Sequence, residues 1–304
     1  MKLCSIRHAD GVHAALVVAE DEVIDLTALA RATGSGPTSV LGWVGLGAEG
    51  LERLADLSAG QVPAGVRGPL SRADLVMPLD GLSRNVICVG ANYPAHIEES
   101  EVVVGPLGLP PEPVYFTKDS RSLCGPYDDI EWDPQATGQL DWEVELAVVV
   151  GRPGRNLDPA DALDHVWGYT ILNDVSARDV QLGRGQWWKG KSLQGTSPLG
   201  PFLVSADEVG QVGNLTLRTW VDGVERQAAS ASQMIHGVAD LLADLSTTLT
   251  LAPGDVVATG TPAGVGMAAV PPEWLTGGRV VETEIRGLGR QRNVVVTRRE
   301  AHDG

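Results

Sequence analysis

The chain has 304 residues, 43% of them hydrophobic, with 39 acidic against 23 basic side chains and a formal net charge of −16 at pH 7. Such a length buries a substantial core, as one large domain or one domain with a small appendage. The acidic balance excludes nonspecific nucleic-acid binding, which works by neutralising phosphates. No apolar run approaches the roughly 18–20 residues of a membrane span and the N-terminus lacks a signal-peptide core, so the expectation is a cytoplasmic protein with no membrane partner.

In chain order, residues 12–18 and 22–26 read as two short strands, and 39–57 carries the apolar spacing of one or two helices. His8 and His13 fall in this part and read as surface histidines. Turn formers at 59–69 connect this part to the remainder of the chain, giving a division into 1–75 and 76–304. Cys4, Cys88 and Cys124 are too few and scattered for a disulfide framework and read as small buried residues. Residues 97–110 show little periodicity and begin with Glu98, Glu99 and Glu101, which predicts a mobile lid. Residues 166–172 form an apolar segment that delivers Asn173 and Asp174. The basic stretch Trp187-Trp188-Lys189-Gly190-Lys191 comes next, its tryptophans being either an aromatic wall or plain packing. The clearest helix spans 232–246, where Ile235, Val238, Leu241, Leu242 and Leu245 make one stripe, and helix signals recur at 159–165. Strands mixed with a few helices give an α+β fold.

The chemistry concentrates in residues 140–150, where Glu143 and Glu145 interrupt an apolar strand at i and i+2 and so share a face. Two carboxylates buried side by side need a compensating cation, and Mg²⁺ or Mn²⁺ is the simplest. The competing reading is an edge strand with its acidic face in water. Asp174, at a strand end, completes a three-carboxylate set, while Asp141 shares the glutamates' face. His96 and Glu99, three residues apart, fall on one side of a helical turn, where the carboxylate can orient the imidazole.

These segments, with Pro198-Leu199-Gly200-Pro201 and the glycine-rich stretch 253–266, resemble the fumarylacetoacetate hydrolase family over roughly residues 80–297. The resemblance implies a β-roll or barrel-like mixed sheet behind a small α/β N-terminal domain, in a homodimer. It implies Mg²⁺ (or Mn²⁺) on Glu143, Glu145 and Asp174, with Asp141 beside the site. His96 and Glu99 would activate water, and Lys191 would stabilise a developing enolate. Arg178 and Gln181 would hold the substrate, with Tyr93 and Thr261 lining its pocket. The first functional expectation is a hydrolase cleaving a C–C bond in a 1,3-diketo acid such as an acylpyruvate. The alternative is a decarboxylase or isomerase of an oxo dicarboxylic acid, oxaloacetate-like or 2-hydroxyhepta-2,4-dienedioate-like. Either small-molecule oxo acid is an anion approaching an acidic protein, so the metal and local cations must reverse the field in the pocket.

Overall fold

A computed structural model describes residues 1–105, 111–183 and 185–298. The strand Val144–Val150 is buried at every position because it is central, flanked by Val166–Asn173 on one side and Val256–Ala258 on the other. Its alternate side chains enter two different cores. Ala147 and Val149 join one cluster, and Val144, Leu146, Val148 and Val150 the other, as a period of two requires. Each fully buried Val or Leu contributes roughly 1.5–3 kcal/mol, which is what offsets seating the Glu145 carboxylate on the same strand.

The large sheet runs Arg67–Pro69, Glu22–Asp25, Gly11–Ala19, Lys2–His8, Leu203–Ser205, Val166–Asn173, Val144–Val150, Val256–Ala258, Val86–Gly90, Val114–Lys118, with Leu75–Val76 also on Lys2–His8. Its pairs are antiparallel except Val256–Ala258 with Val86–Gly90. Strands from residues 1–75 therefore continue the sheet that carries the acidic strand, through Lys2–His8 against Leu203–Ser205. A second sheet runs Val224–Ser230, Thr216–Val221, Val280–Ile285, Gly289–Thr297, Ile130–Trp132. The fold is the expected mixed α+β, with both sheets left open and not closed into a barrel.

Four local expectations need correction. The acidic segment is not one strand: Leu140–Asp141 pairs with Ser176–Ala177, the chain breaks at Trp142-Glu143, and Val144–Val150 resumes against Val166–Asn173. The helix predicted at 232–246 forms at Val238–Thr248, because the backbone ahead of it is drawn out to Asn92, which binds Ile235 N–H through its carbonyl and His236 N–H through Oδ1, both at 2.8 Å. Residues 97–104 belong to the helix Pro94–Val104, not to an irregular segment; Val102 and Val103 are exposed on it, which is why no apolar stripe was visible. The rest of the proposed lid, 106–110, lies outside the described residues. His13 is buried, at 2% exposure, not a surface histidine. Cys4 and Cys88 are buried and Cys124 half-buried. No helix among the described residues is long and apolar enough to cross a membrane.

Candidate active site

The break at Trp142-Glu143 is held by specific bonds. Glu143 N–H donates to Asn173 Oδ1 at 3.0 Å and Asp174 N–H donates to Glu143 O at 2.8 Å, so the carboxylates of neighbouring strands are brought together. Glu143, Glu145 and Asp174 are all buried, with carboxylate oxygens within 4.8 Å of one another. Three cations are packed against them. Lys191 Nζ lies 2.7 Å from Glu143 Oε2 and 2.8 Å from Asp174 Oδ2; Arg178 Nη2 is 2.6 Å from Glu143 Oε1; Lys118 Nζ is 2.8 Å from Asp174 Oδ1. Asp141 sits outside this set. It accepts from Arg178 Nε at 2.9 Å, from Gly266 N–H at 2.6 Å and from Met267 N–H at 3.1 Å, and so fixes the guanidinium's direction.

Charge decides what the cluster lacks. Four buried carboxylates (Asp141, Glu143, Glu145, Asp174) face three cations (Lys118, Arg178, Lys191), leaving one negative charge over. The surplus falls on Glu145, whose carboxylate is held by Gly260 N–H at 2.9 Å and by no cation among the described residues. Burial, then the Asp174 and Glu143 charges, push the Glu145 carboxyl well above its usual range. For Glu143, burial is outweighed by Lys191 and Arg178, and its carboxyl is held at about 2. Lys191, despite burial, is held protonated by Asp174 and Glu143. A buried, cation-deficient set of hard oxygen donors fits a divalent ion such as Mg²⁺. The same burial rules out the reading of a solvated acidic face.

Across the cavity stands His96. Its Nδ1 is 2.8 Å from Glu99 Oε1, the two lying on one turn of Pro94–Val104, where Pro94 opens the helix. Glu99 is itself fixed from outside, its Oε2 accepting Gly264 N–H at 2.8 Å. Gly264 has φ +106°, and a Cβ there would stand 1.9 Å from Arg226 O, so only glycine permits this turn. With Nδ1 turned to Glu99, the imidazole presents Nε2 as its free proton acceptor.

His96, Glu143, Glu145, Arg178, Gln181, Lys191 and Thr261 all line one cavity of about 110 Å³, small against the roughly 300–1,000 Å³ of common ligand pockets. Gln181 Oε1 accepts from Arg178 Nη1 at 3.0 Å. Thr261 spends its hydroxyl inside the protein, donating to Val144 O and accepting from Gln227 Nε2. Tyr93 does not join them: it caps the helix Pro94–Val104, is 2% exposed and does not line the cavity. Trp187 does line it, edge-on to Phe116 at 5.4 Å and lying across Gly90, where a Cβ would meet its ring at 2.6 Å. Trp188 is exposed and outside.

Sequence reasoning passed over three residues that hold the site. Lys118 is fully buried, and beyond Asp174 it donates to Val175 O at 3.0 Å and to Lys191 O. Asn92 clamps His236 and Thr259 through its amide. Gln227 accepts from Val144 N–H and donates to Thr261 and Pro262. An apolar strand ending in lysine, as Val114–Lys118 does, was the available signal for the first; the amides carry none, being unremarkable in a turn and a hairpin.

Fold and site together define a carboxylate-cluster centre suited to a divalent cation, with a carboxylate-oriented histidine lining the same cavity. The chain belongs to the fumarylacetoacetate hydrolase family: residues 85–296 match the fumarylacetoacetate (FAA) hydrolase C-terminal domain. It is 40% identical over 226 residues to the oxaloacetate tautomerase YisK of Bacillus subtilis, covering 74% of each chain. It is 44% identical over 213 residues to a mitochondrial oxaloacetate tautomerase of Homo sapiens, covering 69% of this chain and 66% of that one. A solved fumarylacetoacetate hydrolase from Exiguobacterium antarcticum superposes with TM-score 0.82 at 36% identity, over 98% of this chain and 100% of the other.

Proposed function

We propose that this protein is a divalent-metal-dependent isomerase of a small 2-oxo dicarboxylic acid, interconverting enol and keto forms of an oxaloacetate-like substrate. Similarity to two oxaloacetate tautomerases carries the reading and places it ahead of C–C bond hydrolysis. The small cavity supports it, since a four-carbon acid asks for less room than an acylpyruvate with a long acyl arm.

Glu143, Glu145 and Asp174 would hold the ion, which supplies Lewis acidity that lowers the cost of negative charge on the substrate's 2-oxygen. The rest falls to side chains. Arg178, aimed by Asp141 and Gln181, offers a fixed cation to a substrate carboxylate. His96 Nε2 takes the proton from C3 of the keto form, Glu99 stabilising the imidazolium, and the same proton is returned to oxygen to give the enol. No water is consumed and no bond between carbons breaks. Trp187, Phe116 and Ile97 keep the reacting carbon in an apolar wall.

The test tracks enol-oxaloacetate decay by absorbance and, in ¹⁸O water, the products from acylpyruvates by mass spectrometry. Ketonisation above the Mg²⁺ blank, reduced about 100-fold or more in His96→Asn, is expected. Label appearing in a new carboxylate fragment from an acylpyruvate, without accelerated ketonisation, would overturn the proposal in favour of hydrolysis.

A further inference from the structure

A second group of ligand-bearing side chains lies in the N-terminal hairpin, in residues outside the cavity. Lys2–His8 and Gly11–Ala19 pair antiparallel with His8 opposite Gly11, so His13, two residues further on, shares that face. The two imidazoles stack, centroids 4.6 Å apart and planes 18° from parallel. Asp10, in the turn between the strands, reaches both: its Oδ1 is 2.5 Å from His8 Nδ1 and 3.0 Å from His13 Nε2. The three ligand atoms lie within 4.8 Å of one another.

Hydrogen-bond geometry indicates what can stand between them. His13 Nδ1 is 2.7 Å from Asp25 Oδ2, and since a carboxylate can only accept, that nitrogen carries the hydrogen. Asp25 is anchored in turn, its Oδ1 accepting Ala28 N–H as the cap of the helix Leu26–Thr33. In the neutral ring Nε2 is then a lone pair facing the Asp10 carboxylate. A lone pair 3.0 Å from that carboxylate calls for a cation between or beside the two, and a proton, the Arg31 guanidinium or a metal ion can each fill that place. Arg31 serves now: its Nη1 donates to Asp10 Oδ2 and lies 3.3 Å from His13 Nε2. Arg31 is 55% exposed and can swing into solvent.

We propose that His8, Asp10 and His13 form a binding site for one transition-metal ion of the Zn²⁺ class, with Asp25 orienting His13 and Arg31 occupying the ion's place in the metal-free protein. Two imidazoles and one carboxylate suit Zn²⁺, Ni²⁺ or Cu²⁺ and not Mg²⁺, so this site and the all-carboxylate cluster select different metals. A carboxylate behind a ligating histidine is the usual outer partner in such sites. Ligand bonds of about 2 Å require donors no more than about 4 Å apart; the exposed His8 and Asp10 side chains have room to close that gap. The ion would tie both strands of the hairpin, through Asp25, to the first helix.

The full-length protein, with Mg²⁺ in saturating excess, is titrated with ZnCl₂ by calorimetry, and Cu²⁺ loading is read by electron paramagnetic resonance for imidazole nitrogen couplings. Wild type is expected to bind one Zn²⁺ per chain that both His8→Ala and His13→Gln lack, with oxo-acid isomerisation unchanged in His8→Ala. Asp25→Asn, which keeps a helix-capping side chain, weakens zinc about 10–100-fold. Arg31→Ala tightens it, an outcome that damage to the fold would not produce. An equal zinc count in wild type and both histidine variants overturns the site, as does a copper spectrum with identical nitrogen couplings in wild type and His8→Ala.

Discussion

Replacing Lys118 with Met tests the charge balance of the carboxylate cluster. Methionine keeps much of the lysine stem's bulk, so the change is chiefly the loss of an ammonium that touches Asp174 Oδ1 at 2.8 Å in a fully buried position. Removing one partner of a buried pair costs about 3–5 kcal/mol, because the other charge stays behind. Asp174 is then left with Lys191 alone, and the cluster keeps two of its three cations. For a chain of this size each kcal/mol moves Tm by about 2 °C, so Lys118→Met in EDTA is expected to melt about 6–10 °C below wild type. Mg²⁺ should then raise the variant's Tm by more than it raises wild type's, since the added ion meets a larger uncompensated charge. Differential scanning calorimetry with EDTA and with Mg²⁺ gives all four values. A variant melting within about 2 °C of wild type in EDTA, with an equal Mg²⁺ response, refutes the balance argued from these distances.

Glu145 provides the pH dependence. Its folded carboxyl is pushed well above the unfolded value of 4.5, so the metal-free folded state holds the extra proton and loses stability as pH rises above that point. Glu145→Gln should therefore be the more stable protein in EDTA at pH 8 and should converge on wild type toward pH 4.5, as urea denaturation across that range would reveal; parallel stability curves would contradict it. Trp187→Ala should open the cavity wall and shift the kcat/KM ratio of longer to four-carbon oxo acids by about tenfold or more in favour of the longer, and an unchanged ratio would mean the indole only packs. Gly264→Ala forces the turn off Arg226 O and pulls its N–H from Glu99, so kcat should fall about 100-fold while Mg²⁺ affinity holds; steady-state kinetics beside metal titration separates the two.

The carboxylate cluster was legible in the sequence because acids in an apolar strand are a violation, whereas His96 and Glu99 were legible only through the family resemblance, a lone histidine being unremarkable in itself. What was not legible is whatever depends on contacts remote in sequence. Lys118 reads as the polar end of a strand until Asp174, 56 residues on, is placed against it. His13 reads as a surface residue in an alternating strand because nothing local announces Asp25 and the helix that covers it. The helix Pro94–Val104 was hidden because its apolar residues at 102 and 103 face outward, whereas Val238–Thr248 was found but begun too early, its periodicity continuing back through Ile235 where Asn92 extends the chain. Periodicity reports the side chains of an element; it does not report a distant amide that ends it.

The turn from Thr259 to Gly266 reaches three acids on three separate elements through main-chain N–H groups: Glu145 by Gly260, Glu99 by Gly264, Asp141 by Gly266. All three donors are glycines, and a Cβ would stand 1.9 Å from Arg226 O at Gly264 and 2.1 Å from Glu273 O at Gly266, so residue exchange at these points displaces the donor and with it the acid it holds. The places of the three acids therefore hang on the smallest side chain at three points of a single turn.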